Sequence, residues 1–180
     1  MKKFTLKDWV LMALSLAMMI VVGKMLYTIS LSLPIPSSRV LVTAPVFAFI
    51  YTATAMQTRR IGTVSFISLA YGLYMLRFSI FGAAAGVLSG ILCDLLSLLI
   101  FKNYDKIENI VYSVPIKSTL SVWTSYFIVT KFVPNSRFVQ AGLIPTLIIS
   151  VIIYFVGLGA SKYTARVFSK RMAIAWEKQR

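Results

Sequence analysis

Apolar residues along this chain occur in six long runs, separated by short polar or proline-containing segments. The runs predict helices at about residues 9–31, 40–56, 61–76, 81–101, 110–132 and 141–165. Most of them approach the roughly 20 residues with which a helix crosses the hydrocarbon core of a bilayer. The pattern therefore predicts an all-α integral membrane protein, with six transmembrane helices in one compact bundle and a single domain over residues 1–180.

Composition supports a membrane protein and excludes other classes. Hydrophobic residues make up 58% of the 180 residues and charged residues 13%, against about 45–50% and about 25% in soluble domains. A soluble enzyme and a disordered chain are therefore both disfavoured. The net charge of +14 would suggest nucleic acid in a soluble chain, but the basic residues lie mainly between apolar runs. We expect a lipid bilayer and no nucleic acid as partner.

The distribution of Lys and Arg predicts the orientation. With the N-terminus in the cytoplasm, 13 of the 19 basic residues fall on the cytoplasmic side, five on the outer side, and Lys117 within a span. Cytoplasmic loops carry such an excess, so both termini should be cytoplasmic. The first run is long and no Ala-x-Ala site closes it, so we expect it to remain as a helix of a multi-pass protein in the cell membrane.

The residues that usually carry catalysis or bind metals are scarce. The chain has no His and a single Cys, Cys93, which excludes a His general base and a His-based or Cys-cluster metal site. A Gly-x-x-x-x-Gly-Lys-Ser/Thr phosphate loop is also missing. We expect no enzyme and no cofactor, and any uphill transport would take its energy from a partner or a gradient.

Two charges lie inside apolar runs. Asp94 precedes the cytoplasmic end of the fourth run by about eight residues, and Lys117 follows the corresponding end of the fifth by about seven. At ~1.5 Å per residue both sit roughly 10–12 Å deep. An isolated charge at that depth is costly, so we predict a structural ion pair. The other acidic residues lie near the rim or termini, which disfavours proton-coupled transport.

The outer half combines basic and aromatic residues without an acidic residue. Such a lining suits an organic ligand that carries carboxylate or phosphate, although snorkelling and an interfacial aromatic belt would give the same pattern. We predict a substrate site between the proline-rich loop Ser30–Ser38, which could act as a lid, and helices three to six. Its predicted residues are Lys24, Arg39, Arg77, Tyr71, Tyr74, Trp123 and Tyr126.

Two rows of small residues have four-residue spacing, which places each row on one helix face. Ala13 and Ala17 predict a docking face for another membrane subunit, with packing inside this chain as the alternative. Gly82, Gly86 and Gly90 predict close helix–helix contact, with a ligand wall or a sliding surface as alternatives.

With these features the chain resembles the substrate-binding S components of energy-coupling factor (ECF) transporters over almost its whole length. The basic start Lys2-Lys-Phe-Thr-Leu-Lys-Asp8, the alanine pair and the glycine row that continues to Asp94 carry the resemblance. Within the family it is most similar to the MptD-like (Trep_Strep) group, through Gly90-Ile-Leu-Cys-Asp-Leu-Leu96, Phe101-Lys-Asn-Tyr-Asp-Lys-Ile107 and Val111-Tyr112.

The resemblance implies the high-affinity capture subunit of an ATP-driven importer in a bacterial plasma membrane. Such a subunit binds a vitamin or similar micronutrient at the outer face, topples and releases it inside. A transmembrane coupling subunit, which contacts the alanine motif, and two cytoplasmic ATPase subunits power this step. The outer residues favour an anionic, partly aromatic ligand. The alternatives are a self-contained small-molecule carrier or channel, and a membrane scaffold without a small ligand.

Overall fold

The computed structural model describes residues 4–31, 38–102 and 104–177, apart from the side chains of residues 31, 38, 39, 137 and 170–177. The described residues form helices and no strand, which confirms the all-helical fold. The helices are α1 (Leu6–Leu31), α2 (Ser38–Thr58), α3 (Thr63–Met75), α4 (Ile80–Phe101), α5 (Ile107–Phe132), α6 (Arg137–Gln140) and α7 (Leu143–Glu177).

Four of these helices are long and apolar enough to cross a membrane, which indicates a membrane protein. They are Leu6–Ser30, Val40–Thr58, Ile80–Phe101 and Leu143–Ser169. The apolar helix α3 has only 13 residues. The helix α5 has 26 residues, but Lys117 and several hydroxyl side chains make it more polar. Large apolar side chains on the outside of α1, α4 and α7 are exposed, as expected for a surface in contact with lipid.

The helix α2 is the most enclosed element. It packs against α1, α3, α5 and α7, while α4 packs between α3 and α5. The second half of α2 is buried, including Tyr51 and Met56. The buried Thr54 and Thr58 donate their hydroxyl protons to backbone carbonyls one turn earlier, so that polar groups inside α2 are satisfied without water.

Helices α3 and α4 approach closely where glycine replaces a side chain. A Cβ atom added at Gly90 would overlap Ser68 of α3, and one added at Gly72 would overlap Val87 of α4. Internal packing, which the glycine row predicts, is therefore observed at Gly90. The close approach fixes α3 against α4 along the wall of the cavity described below.

The last helix extends beyond the predicted limit. The sixth helix was predicted to end at about residue 165, whereas α7 begins at Leu143 and continues to Glu177. The short helix α6 precedes it, and Gly142 with φ 88° turns the chain between them, in a conformation that glycine adopts readily. The extension contains Lys and Arg, which are good helix formers, so the end of the apolar run does not end the helix.

Candidate ligand-binding site

A cavity of about 610 Å³ lies between helices α1 to α5. It is lined by the C-terminal parts of α1 and α3, the N-terminal parts of α2 and α4, and the stretch of α5 from Lys117 to Ser125. The prediction placed the site among helices three to six, and this is corrected: α1 and α2 line the cavity, and no described residue of α7 does. The loop Ser30–Ser38, the predicted lid, lies largely outside the described residues.

One wall of the cavity is aromatic. Phe47 of α2 meets Tyr71 of α3 edge to face, with ring centroids 5.4 Å apart. Tyr71 lies 6.2 Å from Tyr74 and Tyr74 lies 5.6 Å from Phe78, so that the rings form a continuous row. Tyr27 adds a further ring from α1. Offset and edge-to-face rings present apolar faces and polar edges, which suits a flat or apolar ligand body.

The charged groups in the described lining are both basic. Lys24 is exposed on α1, whereas the side chain of Lys117 on α5 is 7% exposed. The Lys117 ammonium lies 4.8 Å from the centroid of the Tyr51 ring, in a cation–π contact. No carboxylate is found among the described lining residues, so the cavity favours an anion.

Three predicted site residues line the cavity and three others do not. Lys24, Tyr71 and Tyr74 are lining residues. Arg77 is exposed in the turn between α3 and α4 and lies outside the lining, so its role as a ligand contact stays a prediction. The side chain of Arg39 falls outside the described residues.

The two aromatic residues predicted on α5 face away from the cavity. The lining face of α5 contains Lys117, Ser121 and Ser125 at four-residue spacing, and residues 123 and 126 lie on another face. Tyr126 is buried and packs against Phe138 of α6, with ring centroids 5.6 Å apart. Trp123 packs beside it at 6.5 Å. Both predictions are therefore corrected.

Four lining residues of α5 were missed as ligand contacts: Lys117, which was assigned to an ion pair, and Ser118, Ser121 and Ser125. The signal that could have found them is in the sequence. Lys117, Ser121 and Ser125 form one polar stripe on an otherwise largely apolar run, and a polar stripe inside a membrane helix faces protein or a wet cavity.

The predicted ion pair between Asp94 and Lys117 is wrong. In the part of the chain that the structure describes, the charged groups of Asp94 and Lys117 are not within 4.0 Å of each other, whereas Arg60 and Asp8 form an ion pair at 3.2 Å. The Asp94 carboxylate instead accepts hydrogen bonds from the backbone N–H of Ser65 at 2.7 Å and from the Tyr104 hydroxyl at 3.0 Å. Equal depth did not imply contact, because Asp94 binds Ser65 and Tyr104 whereas the Lys117 ammonium contacts the Tyr51 ring.

Asp94 thus binds the start of α3. Ser65 lies in the first turn of α3, where backbone N–H groups lack a partner within the helix and favour a negative charge. Tyr104 lies in the connection between α4 and α5, and burial together with the nearby Asp94 carboxylate raises the pKa of its hydroxyl. The hydroxyl therefore stays protonated and donates to Asp94.

We expect Asp94→Ala to lower the free energy of unfolding by about 2–4 kcal/mol, because two hydrogen bonds to a charged group are lost. Tyr104→Phe removes one of them and should cost less. The measurement is unfolding by sodium dodecyl sulfate in mixed micelles. Lys117→Met is the control and should be far milder. A loss as large for Lys117→Met as for Asp94→Ala would instead favour a coupled pair.

The alanine pair has the exposure that a docking face requires. Ala13 and Ala17 are exposed, while Met12, Ser15 and Met19 on the opposite side of α1 are buried. Among the residues that the structure describes, the alanines are therefore not packed inside this chain. Their docking role stays a prediction.

The glycine row of α4 has two environments. Gly90 packs against α3, as described above, whereas Gly82 and Gly86 line the cavity. A Cβ atom added at Gly86 would meet nothing within 4 Å. The same spacing therefore serves helix packing at one end and forms part of the cavity wall at the other.

The arrangement is chemically suited to binding an organic anion. Its elements are an aromatic row, a buried ammonium and hydroxyl groups on α5. Within the described part of the chain, no three His, Cys, Asp or Glu residues are grouped as a metal site would require. No protein-family model, curated protein or solved structure matches the chain.

Proposed function

We propose that this chain is the substrate-capture subunit of an ECF-type, ATP-driven importer in the cell membrane. The ligand is a vitamin-like micronutrient that is anionic and partly aromatic. The observation that carries the proposal is the cavity of about 610 Å³ with an aromatic row and two basic side chains, inside an apolar helical protein. A cavity of this size is typical of small-molecule sites, which a membrane scaffold does not need.

The position of the cavity agrees with capture from outside. With both termini in the cytoplasm, the C-terminal parts of α1 and α3 and the N-terminal parts of α2 and α4 are in the outer half. These are the segments that line the cavity. The excess of basic residues at the opposite ends of the helices favours this orientation. A ligand would then enter from the outer side.

Six membrane spans are part of the proposal. The 26 residues of α5 reach about 39 Å at 1.5 Å per residue, which exceeds the hydrocarbon core of about 30 Å. The shorter α3 ends where the turn residues Phe78 and Ser79 reach the cavity. A wet cavity at this end relieves α3 of the need to cross the whole hydrocarbon layer.

A partner must supply the energy and a surface on which to dock. The sequence has no phosphate loop of the Gly-x-x-x-x-Gly-Lys-Ser/Thr type, so ATP hydrolysis would come from the two ATPase subunits. The exposed face around Ala13 and Ala17 admits a helix of the coupling subunit, because small residues let membrane helices approach closely.

The test begins with the tagged chain purified from its host's membranes in mild detergent. We expect native mass spectrometry to detect a bound small molecule, and we expect a membrane subunit and two ATPases to co-purify. In vesicles, uptake of the small molecule should require ATP. Gly86→Leu is the control variant: its side chain extends into the cavity and should abolish ligand binding while the partners still co-purify.

Two outcomes would contradict the proposal. Uptake by vesicles that contain the chain alone, without ATP, would identify a self-contained carrier or channel. Binding of partners by wild type without any small molecule, together with unchanged behaviour of Gly86→Leu, would identify a scaffold.

A further inference from the structure

Lys117 is a buried residue whose ammonium has no anionic partner among the residues that the structure describes. The residue is 7% exposed, and among the described residues no carboxylate lies within 4.0 Å of its ammonium and no hydrogen bond from the ammonium is found. Its contact is the face of the Tyr51 ring, at 4.8 Å. A buried charge with no counterion is costly, so an anion that reaches it would gain a strong interaction.

Tyr51 holds one side of this ammonium and leaves the cavity side open. The Tyr51 hydroxyl is hydrogen-bonded to the Ser68 hydroxyl at 2.9 Å, which fixes the ring between α2 and α3. Lys117 is at the same time a lining residue of the cavity. The ammonium is therefore anchored by a ring on one side and accessible to a ligand on the other.

The hydroxyl groups beside Lys117 are also available. On the same helix, Thr119, Thr124 and Thr130 donate to the backbone carbonyl four residues earlier, as hydroxyl side chains inside helices commonly do. Ser118, Ser121 and Ser125 make no such bond in the part of the chain that the structure describes, and all three line the cavity. They can hydrogen-bond to a ligand or to water.

The two basic side chains of the lining differ in environment. Lys24 is exposed, so water and salt weaken its attraction for an anion. Lys117 is buried, and in its surroundings of lower dielectric constant the attraction is stronger. Charge recognition should therefore depend on Lys117.

From these observations we infer that the cavity binds a small organic acid with the acid group first, against the Lys117 ammonium and the neighbouring serines of α5. The apolar or aromatic part of the ligand contacts Phe47 and Tyr71 and points toward the exposed Lys24. This inference rests on the proposed function, because it concerns the ligand of the same cavity. It names the ligand class, an aromatic monocarboxylate, and assigns its specificity to Lys117.

The test uses a photoreactive acid and its uncharged counterpart, para-benzoylbenzoate and methyl para-benzoylbenzoate. Each is irradiated with the purified chain in dodecyl maltoside, and labelled peptides of the cavity lining are quantified by mass spectrometry. In wild type, we expect half-maximal labelling by the acid at about 10–150-fold lower concentration than by the ester, the range for one charge-assisted hydrogen bond.

Variants of Lys117 and Lys24 show which of the two side chains causes the preference for the acid over the ester. Lys117→Met should make acid and ester equivalent, because it keeps the length of the side chain and removes the charge. Lys117→Arg keeps the charge and should retain most of the preference. Lys24→Met is the matched control and should change the preference less than about 3-fold, as expected for an exposed charge. Unfolding midpoints of all variants are measured in parallel, and if Lys117→Met does not fold, Lys117→Gln takes its place, because it also removes the charge.

Three results would overturn the inference. Equal labelling by acid and ester in wild type would exclude charge-led recognition, but it would leave the cavity as a small-molecule site and the proposed function intact. Loss of the acid preference in Lys24→Met and not in Lys117→Met would place the acid group at the rim. Absence of labelling by either probe would contradict the ligand class, while co-purification of the ATPase subunits would still test the proposed function separately.

Discussion

Replacing Ala13 and Ala17 together by tryptophan should abolish ATP-driven uptake while the purified chain still binds its ligand. Both alanines are exposed and lie one turn apart on the outer face of α1. In lipid, helices associate through close packing rather than through a hydrophobic driving force. Two indole rings at this position would hold the helix of a coupling subunit several ångströms away and remove its contacts.

The structure separates this face from the cavity. The residues of α1 that line the cavity are Ile20, Gly23, Lys24 and Tyr27, nearer the C-terminal end of the helix. Uptake is measured in vesicles that contain the complete transporter, and ligand binding is measured by native mass spectrometry of the chain alone. We expect uptake to fall to background and binding to stay within about 3-fold of wild type, since no ligand contact changes.

A matched pair of exposed residues on another helix controls for the general effect of two added indole rings. Leu95 and Leu99 of α4 are 51% and 75% exposed and also lie four residues apart. Leu95→Trp with Leu99→Trp should leave uptake nearly unchanged. If this control loses uptake as completely as the alanine variant, the defect is general and α1 is not the docking face. Uptake at the wild-type rate by the alanine variant would equally exclude docking there.

The helices could be predicted because each depends on a local property of the sequence. Apolar runs mark where a helix can contact lipid or core, and the predicted starts of the second and fourth helices lie within two residues of those of α2 and α4. The end of α7 could not be read from apolarity, since its last turns contain Lys and Arg. The short helix α6 was missed because a four-residue helix has no periodicity to detect.

The site could be predicted only in part. The position of a residue in an apolar run indicates its depth in the membrane, but not which neighbour its side chain faces. Lys24, Tyr71 and Tyr74, which were selected by depth, line the cavity. Trp123 and Tyr126 have similar depth, but the face of α5 to which they belong packs elsewhere. The face of α5 that lines the cavity could have been predicted from its polar residues at four-residue spacing.

The same distinction explains the incorrect ion pair. Asp94 and Lys117 were paired because both are charges at equal depth, and burial does require that each be satisfied. The structure satisfies Asp94 with the backbone N–H of Ser65 and the Tyr104 hydroxyl, and gives Lys117 an aromatic ring. Neither a backbone N–H nor a ring face can be recognised as a partner from the sequence alone.

Gly90→Leu should prevent the chain from reaching its folded state, whereas Gly86→Leu should fold. A Cβ atom at Gly90 would overlap both Cβ and Oγ of Ser68 and approach the backbone oxygen of Val64 at 3.4 Å. These atoms cannot move aside as the end of a flexible side chain would. The first carbon added must therefore separate α3 from α4, and a leucine adds three more in the same gap.

The consequences of this separation extend along α4. Asp94 lies one turn beyond Gly90 and binds the Ser65 N–H, and the Ser65 hydroxyl donates to the Gly90 carbonyl at 3.2 Å. Moving the helices apart would weaken both bonds. Overpacking alone costs typically 1–3 kcal/mol, so Gly90→Ala should lower the free energy of unfolding by about that amount, and Gly90→Leu should leave little folded protein in the membrane.

Gly86 is the matched position, on the same helix and one turn away. A Cβ atom there would meet nothing within 4 Å, and alanine has a higher helix propensity than glycine by about 0.5–1 kcal/mol. Gly86→Ala and Gly90→Ala should therefore change stability in opposite directions, as measured by dodecyl sulfate unfolding. Equal changes at both positions would show that α3 and α4 do not approach closely at Gly90. The combination of Gly90→Ala with Ser68→Gly should restore part of the loss, because it removes the side chain that the new methyl group would overlap.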